Sequence, residues 1–190
     1  MAARDIMPFK SPLGGTYEVR VGGMTASEVF DVGEPVMIVT AGTLTEPTDN
    51  AAQWTVAQMG TSMQCGIACF GPGTANVNRN PKTNTDYASN DEIAYWPANQ
   101  GTLFITRNVF AAGAGSAAAP LLTDIDASYQ ITYGTTDPIG WGVEKTAGVV
   151  GVDVQAIVTD VLDAQLSPIR NSGNAGVFVV FEINATLAAA

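Results

Sequence analysis

Residues 30–48, FDVGEPVMIVTAGTLTEPT, decide how this chain is read. Val36, Ile38 and Thr40 alternate with Met37 and Val39, so an extended strand here carries apolar side chains on both faces. Ala41-Gly42 interrupts the run and Thr43-Leu44-Thr45 begins a second short strand, a pattern that predicts a β-hairpin. Pro35 stands at the strand entrance, where its missing N–H costs little, and Pro47 closes the unit. A strand that is apolar on both faces has to be covered twice. What covers the second face is the functional question.

Outward from the hairpin, short strands predominate. TYEVRV (16–21) alternates Tyr17, Val19 and Val21 against Glu18 and Arg20 and reads as half-buried. MQCGIACF (63–70), DEIAYWP (91–97), TLFITRNVF (102–110), SYQITYG (128–134), WGVEKTAG (141–148) and GVFVVFEIN (176–184) follow. In VVGVDVQAIV, Val150, Val152, Val154 and Val158 alternate as a strand does, whereas VTDVLDAQL (158–166) shifts to helical spacing until Pro168. Residues 50–60 read either as a short helix or as a loop that tucks Trp54 inward. The expected fold is mainly β: a small β-sandwich or barrel of eight to ten strands with one or two short helices. A single domain over 16–184 carries long loops at 71–91 and 111–127, an extended N-terminal arm at 1–15 and a neutral tail at 185–190. In the arm, Pro8, Pro12 and Gly14-Gly15 argue against helix and sheet, while Met7, Phe9 and Leu13 offer apolar anchors for a partner. AAGAGSAAAP (111–120) is uncharged and small, suited to a connector or to a tight gap between subunits.

Composition narrows the function. Only 14% of residues are charged while 46% are hydrophobic, which suits a surface partly hidden by neighbours. Eight Lys and Arg against 18 Asp and Glu give a net charge of −10, and the cations form no run. Phosphate backbones bind clustered cations, so neither nucleic acid nor an anionic membrane surface is an expected partner. No apolar run is long enough for a membrane helix, and MAARDIMPFKSPLGG lacks the apolar centre of a signal peptide, so synthesis in the cytoplasm, without secretion, is the expectation.

The residue types that do chemistry are scarce. Histidine is absent, which removes Ser-His and Cys-His pairs and the usual zinc sites. No P-loop is present, because the Gly-rich stretches lack the strand–loop–helix context. Cys65 and Cys69 on one strand would stand roughly 13 Å apart at about 3.3 Å per residue, beyond the limit of about 7 Å for a bridge. Two buried thiols are expected instead. Asp124 and Asp126 in TDID would point to one side of an extended segment, and Asp86, Asp91 and Glu92 surround a turn. Such carboxylates serve glycosidases or calcium sites, but neither spacing fits a known loop. Tyr87, Tyr95, Trp96 and Trp141 could form a sugar platform, the carbohydrate-binding or adhesin alternative, although Tyr and Trp at strand ends more often anchor cores or interfaces. No enzyme activity, cofactor or metal is expected.

GEPVMIVTAGTLTEPT, then MQCGIACF, then GVEKTAGVVGVDV resembles the small β-rich head-decoration, or cement, proteins of tailed bacteriophages. The resemblance is carried by Gly33, Pro35, Val36, Gly42, Leu44, Gly66, Ile67 and Ala68 and covers residues 16–70. It implies a structural virion protein on the outer capsid surface, a homo-oligomer with trimers preferred, bridging subunits of the major capsid protein. Other phage structural parts, such as tail-tube or fibre-associated subunits, share this style. On this reading Arg4, Met7, Phe9, Lys10 and Leu13 strap the arm to the shell. Val36, Met37, Ile38 and Val39, with Trp96, form the subunit interface that covers the second face of the hairpin strand.

Overall fold

The expected hairpin forms: Pro35–Ile38 pairs antiparallel with Leu44–Thr45. In the computed structural model the described residues are 6–10, 18–23, 33–38, 43–45, 53–59, 64–70, 92–113, 116–135, 139–150 and 152–184. Among them twelve strands make two sheets, which agrees with the expected mainly β fold of the sandwich or barrel type.

The smaller sheet holds β2 (Arg20–Gly23), β3 (Pro35–Ile38), β4 (Leu44–Thr45), β5 (Cys65–Phe70) and β6 (Glu92–Pro97), in the order β2-β6-β5-β3-β4. Its two edges meet. A Cβ built on Gly22 of β2 would stand 2.8 Å from Cδ1 of Leu44 on β4, so the sheet curls almost into a barrel. Inside the curl Val36, Leu44, Ala68, Ile93 and Tyr95 form a small core, with Ile38 packed against it. Met37, Cys65 and Ile67 point the other way, into the main core.

This geometry answers the hairpin question and corrects the interface expectation. Both faces of β3 are covered within the chain, one by the curled sheet and one by the main core. Val36 and Met37 are buried and so cannot form a subunit interface; Ile38 lies half-buried against the small core and Trp96 half-buried against the main one. Val39 lies outside the described residues.

The larger sheet contains β1 (Met7–Lys10), β7 (Leu103–Thr106), β8 (Val109–Phe110), β9 (Ser128–Gly134), β10 (Gly140–Ala147), β11 (Gln155–Leu162) and β12 (Phe178–Asn184). Their order is β1-β7-β12-β11-β9-β10-β8, antiparallel except for the β10–β8 pair. Phe104, Phe181, Val158, Ile131, Trp141 and Val143 point from this sheet into the main core. Phe104 and Phe181 face each other at 6.3 Å between ring centroids, and Tyr133 meets Trp141 edge-on at 5.6 Å. Trp54 is fully buried there, just ahead of the one-turn helix α1 (Val56–Met59), so the described residues 53–59 combine both expected readings.

Four local expectations change. Residues 7–10, read as barred from sheet, form an edge strand on β7, while the Ile6 N–H donates to the Gly33 carbonyl at the smaller sheet. An edge strand tolerates Pro8 because one side of its backbone needs no ladder partner. Residues 158–166 are not helical. A register shift between Val158 and Asp160 places Val158 and Val161 in the same core, so a β-bulge imitates the three-residue spacing of a helix. The 102–110 run breaks at Arg107-Asn108 into β7 and β8. Val19 and Val21 are exposed, because β2 turns Gly22 inward to leave room for Leu44.

Candidate functional site

Most of the residue types set aside for chemistry are spent on packing. Tyr95 and Trp141 are buried in the two cores, so they form no sugar platform with Trp96, and Tyr87 lies outside the described residues. Cys65 and Cys69 are buried and not joined in a disulfide. Burial pushes the Cys65 thiol up to about 12, which removes it as a nucleophile. Asp86 and Asp91 lie outside the described residues, and Glu92 is the first residue of β6.

Asp124 and Asp126 do not share a side. Residues Leu122–Asp124 form a single 3₁₀ turn that buries Asp124, whereas Asp126 is exposed with φ +67°. Asp124 Oδ2 sits 2.6 Å from Lys145 Nζ and accepts the Leu121 N–H at 2.7 Å. Its Oδ1 accepts the Tyr129 hydroxyl at 2.8 Å. Lys145 also donates to the Ala119 carbonyl at 2.9 Å. This cluster ties residues 119–124 to β9 and β10, so the stretch read as a long loop at 111–127 is pinned down in its second half. The Ala-rich part also folds back, since the Ala118 N–H donates to the Val109 carbonyl and Phe110 bridges Ala117.

The cluster has a pH signature. Burial, the hydrogen bond to Asp124 and that residue's charge push the Tyr129 hydroxyl from 10.0 up to about 12. Burial raises Cys65 from 9.0 to about 12. Once unfolded, these groups lose their protons near the lower values, so between about pH 9 and 12 the unfolded chain binds fewer protons than the folded one. Stability is therefore whole below that window and falls as pH rises through it. Denaturant melts at pH 8 and pH 11 are expected to show this loss, and Tyr129→Phe is expected to reduce it.

A second buried carboxylate builds the feature with most to offer a partner. Asp153 accepts the Gln53 side-chain amide at 2.5 Å and the Gln130 amide at 3.1 Å. It also accepts the Val149 N–H at 2.8 Å, while its own N–H donates to the Val149 carbonyl at 2.9 Å. These bonds close a turn where alternation had predicted strand. Val149, Val150 and Val152 on that turn are 54%, 61% and 52% exposed. The Val56 N–H donates to the Val152 carbonyl at 2.8 Å, which fixes the turn against α1. A polar, buried base thus holds an apolar, exposed tip. Sequence reasoning missed it, because Gln53 and Asp153 lie 100 positions apart; the signal available was Gly148 and Gly151 bracketing Val149-Val150.

Of the expected strap residues, Phe9 is 37% exposed, Met7 is half-buried and Lys10 belongs to β1. Arg4 and Leu13 lie outside the described residues. Among the described residues no helix is long and apolar enough to cross a membrane. Comparison of the chain with protein-family models, with curated proteins and with solved structures finds no match.

Proposed function

We propose that the chain is a structural virion protein, a decoration or cement protein that binds across major capsid protein subunits on the outside of a phage shell. The observation that carries this reading is the braced valine turn. An apolar tip held by a satisfied buried carboxylate is preorganised to dock, because little conformational freedom remains to be lost on contact. The net charge of −10 suits a shell exterior, away from packaged nucleic acid.

Magnitudes favour a repeated contact over a lone one. Each half-exposed valine gains on the order of 1 kcal/mol on burial. Three of them fall short of the association cost of roughly 4 kcal/mol or more, so a single turn binds weakly. Several copies engaged on one lattice overcome this through effective concentration.

Deleting residues 1–15 would take buried Ile6 and edge strand β1 out of the fold, so the test is placed on the valine turn. Val150→Asp alters only the tip. Its occupancy on purified particles, read by quantitative mass spectrometry, is expected to fall about tenfold or more, the effect of bringing a charge into an apolar contact. Circular dichroism and melting of the variant should match the parent chain. Absence of the parent chain from particles would refute the reading.

A further inference from the structure

The connection between β11 and β12 carries a leucine whose placement costs the isolated chain twice. Leu162 and Pro168 form a bridge, and the Asp163 N–H donates to the Ser167 carbonyl at 2.9 Å, which closes a tight loop. Asp163 Oδ1 accepts the N–H groups of Gln165 at 2.9 Å and Ser167 at 2.8 Å, and the Leu166 N–H donates to the Asp163 carbonyl at 3.1 Å. Within this rigid frame Leu166 has φ +62°, the left-handed region where glycine is at ease and a leucine is strained. Its side chain is 51% exposed, so half of it buries nothing in return. Strain together with apolar exposure at one position points to a return from outside the fold.

The surroundings indicate what supplies it. Val177 and Leu121, 41% and 40% exposed, lie at the same end of the sandwich. The Val177 N–H donates to the Leu162 carbonyl at 2.8 Å, Leu121 bridges Ala175, and the Gly176 N–H donates to the Pro120 carbonyl at 2.7 Å. Residues 160–177 contain two acids, Asp160 and Asp163, and one base, Arg170, which pairs with Asp160 at 3.3 Å, a net charge of −1. In a chain of charge −10, a nearly neutral end is where identical copies approach without like-charge repulsion. Exposed Asn171, Ser172 and Asn174 both donate and accept, so the same polar rim can pair with itself.

We propose that this end of the sandwich is a contact between copies of the chain, with Leu166 of each copy packing on Leu121 and Val177 of another. The contact is separate from the valine turn and does not depend on what that turn binds.

Sedimentation velocity of the purified chain over a range of concentration and salt tests it. The parent chain is expected to self-associate as concentration rises, and more strongly in high salt, where repulsion between the acidic bodies is screened. Leu166→Gly is expected to weaken association about tenfold or more, the scale of one lost leucine contact. Measured dilute, where both proteins are monomers, Leu166→Gly should melt no lower than the parent, because glycine relieves the strained backbone. A parent chain that stays monomeric throughout, a Leu166→Gly variant that associates unchanged, or one that melts lower as a monomer would each overturn the proposal.

Discussion

Gly142→Ala is expected to lower the stability of the chain by about 3 kcal/mol, the upper part of the usual range for overpacking. Gly142 lies in β10, where a Cβ would collide with the Asn108 carbonyl oxygen and stand 2.6 Å from Asn108 Cβ and 2.8 Å from Phe110 Cε2. Asn108 has no room to step aside. Its carbonyl accepts the Val143 N–H at 2.9 Å, its side-chain amide donates to the Trp141 carbonyl at 3.2 Å, and its N–H donates to Thr106 Oγ1 at 3.0 Å. The added methyl must therefore push β8 away from β10 and break the sheet's parallel pairing. Urea denaturation followed by circular dichroism measures the loss. Gly173→Ala is the control: nothing lies within 4 Å of its Cβ position, so a change within about 0.5 kcal/mol is expected.

Asp124→Ala is expected to cost about 3 kcal/mol, because it strands three groups at once. The Lys145 ammonium, the Tyr129 hydroxyl and the Leu121 N–H all lose the carboxylate that serves them. Stranding a buried charge costs more than the intact pair contributes. Two further variants separate the terms. Tyr129→Phe removes one hydrogen bond and is expected to cost about 1 kcal/mol. Adding Lys145→Met to Asp124→Ala removes the uncompensated charge and is expected to restore part of the loss. Hydrogen exchange supplies the local readout: amides of residues 118–127 should lose protection in Asp124→Ala before the strands of the main core do. Equal stability of Asp124→Ala and the parent chain would show that the cluster does not hold this segment.

Much of the strand pattern was legible. Residues 128–134 and 176–184 were read as strands, and β9 and β12 form there, with Ile131, Val179 and Phe181 turned into the main core. Alternation misled where the backbone is irregular. The bulge near Thr159 passed for helix, and the turn at 149–153 passed for strand, since Asp153 closes it by bonds to partners that alternation does not report. Pro8 and its neighbours were read as sheet breakers, yet an edge position makes a proline harmless there. The contact surfaces were harder still. Val36 and Met37 were as apolar as expected, but whether an apolar side chain is covered by its own chain or by a partner is not written in its identity.

By itself the sequence determined that this chain is a β protein, acidic, without histidine, with two unbridged thiols in a buried strand and with far more apolar than charged residues. Those properties follow from residue identity and short-range periodicity, which depend on the nearest few neighbours. Only the tertiary structure decided that the smaller sheet curls almost into a barrel, that both faces of the hairpin strand are used up, and that, among the described residues, part of the apolar surface left over sits on the turn at 149–153 and beside the loop at 163–167. Coverage depends on residues such as Gly22 and Leu44, or Gln53 and Asp153, that are distant along the chain and become neighbours only when the sheets curl and stack.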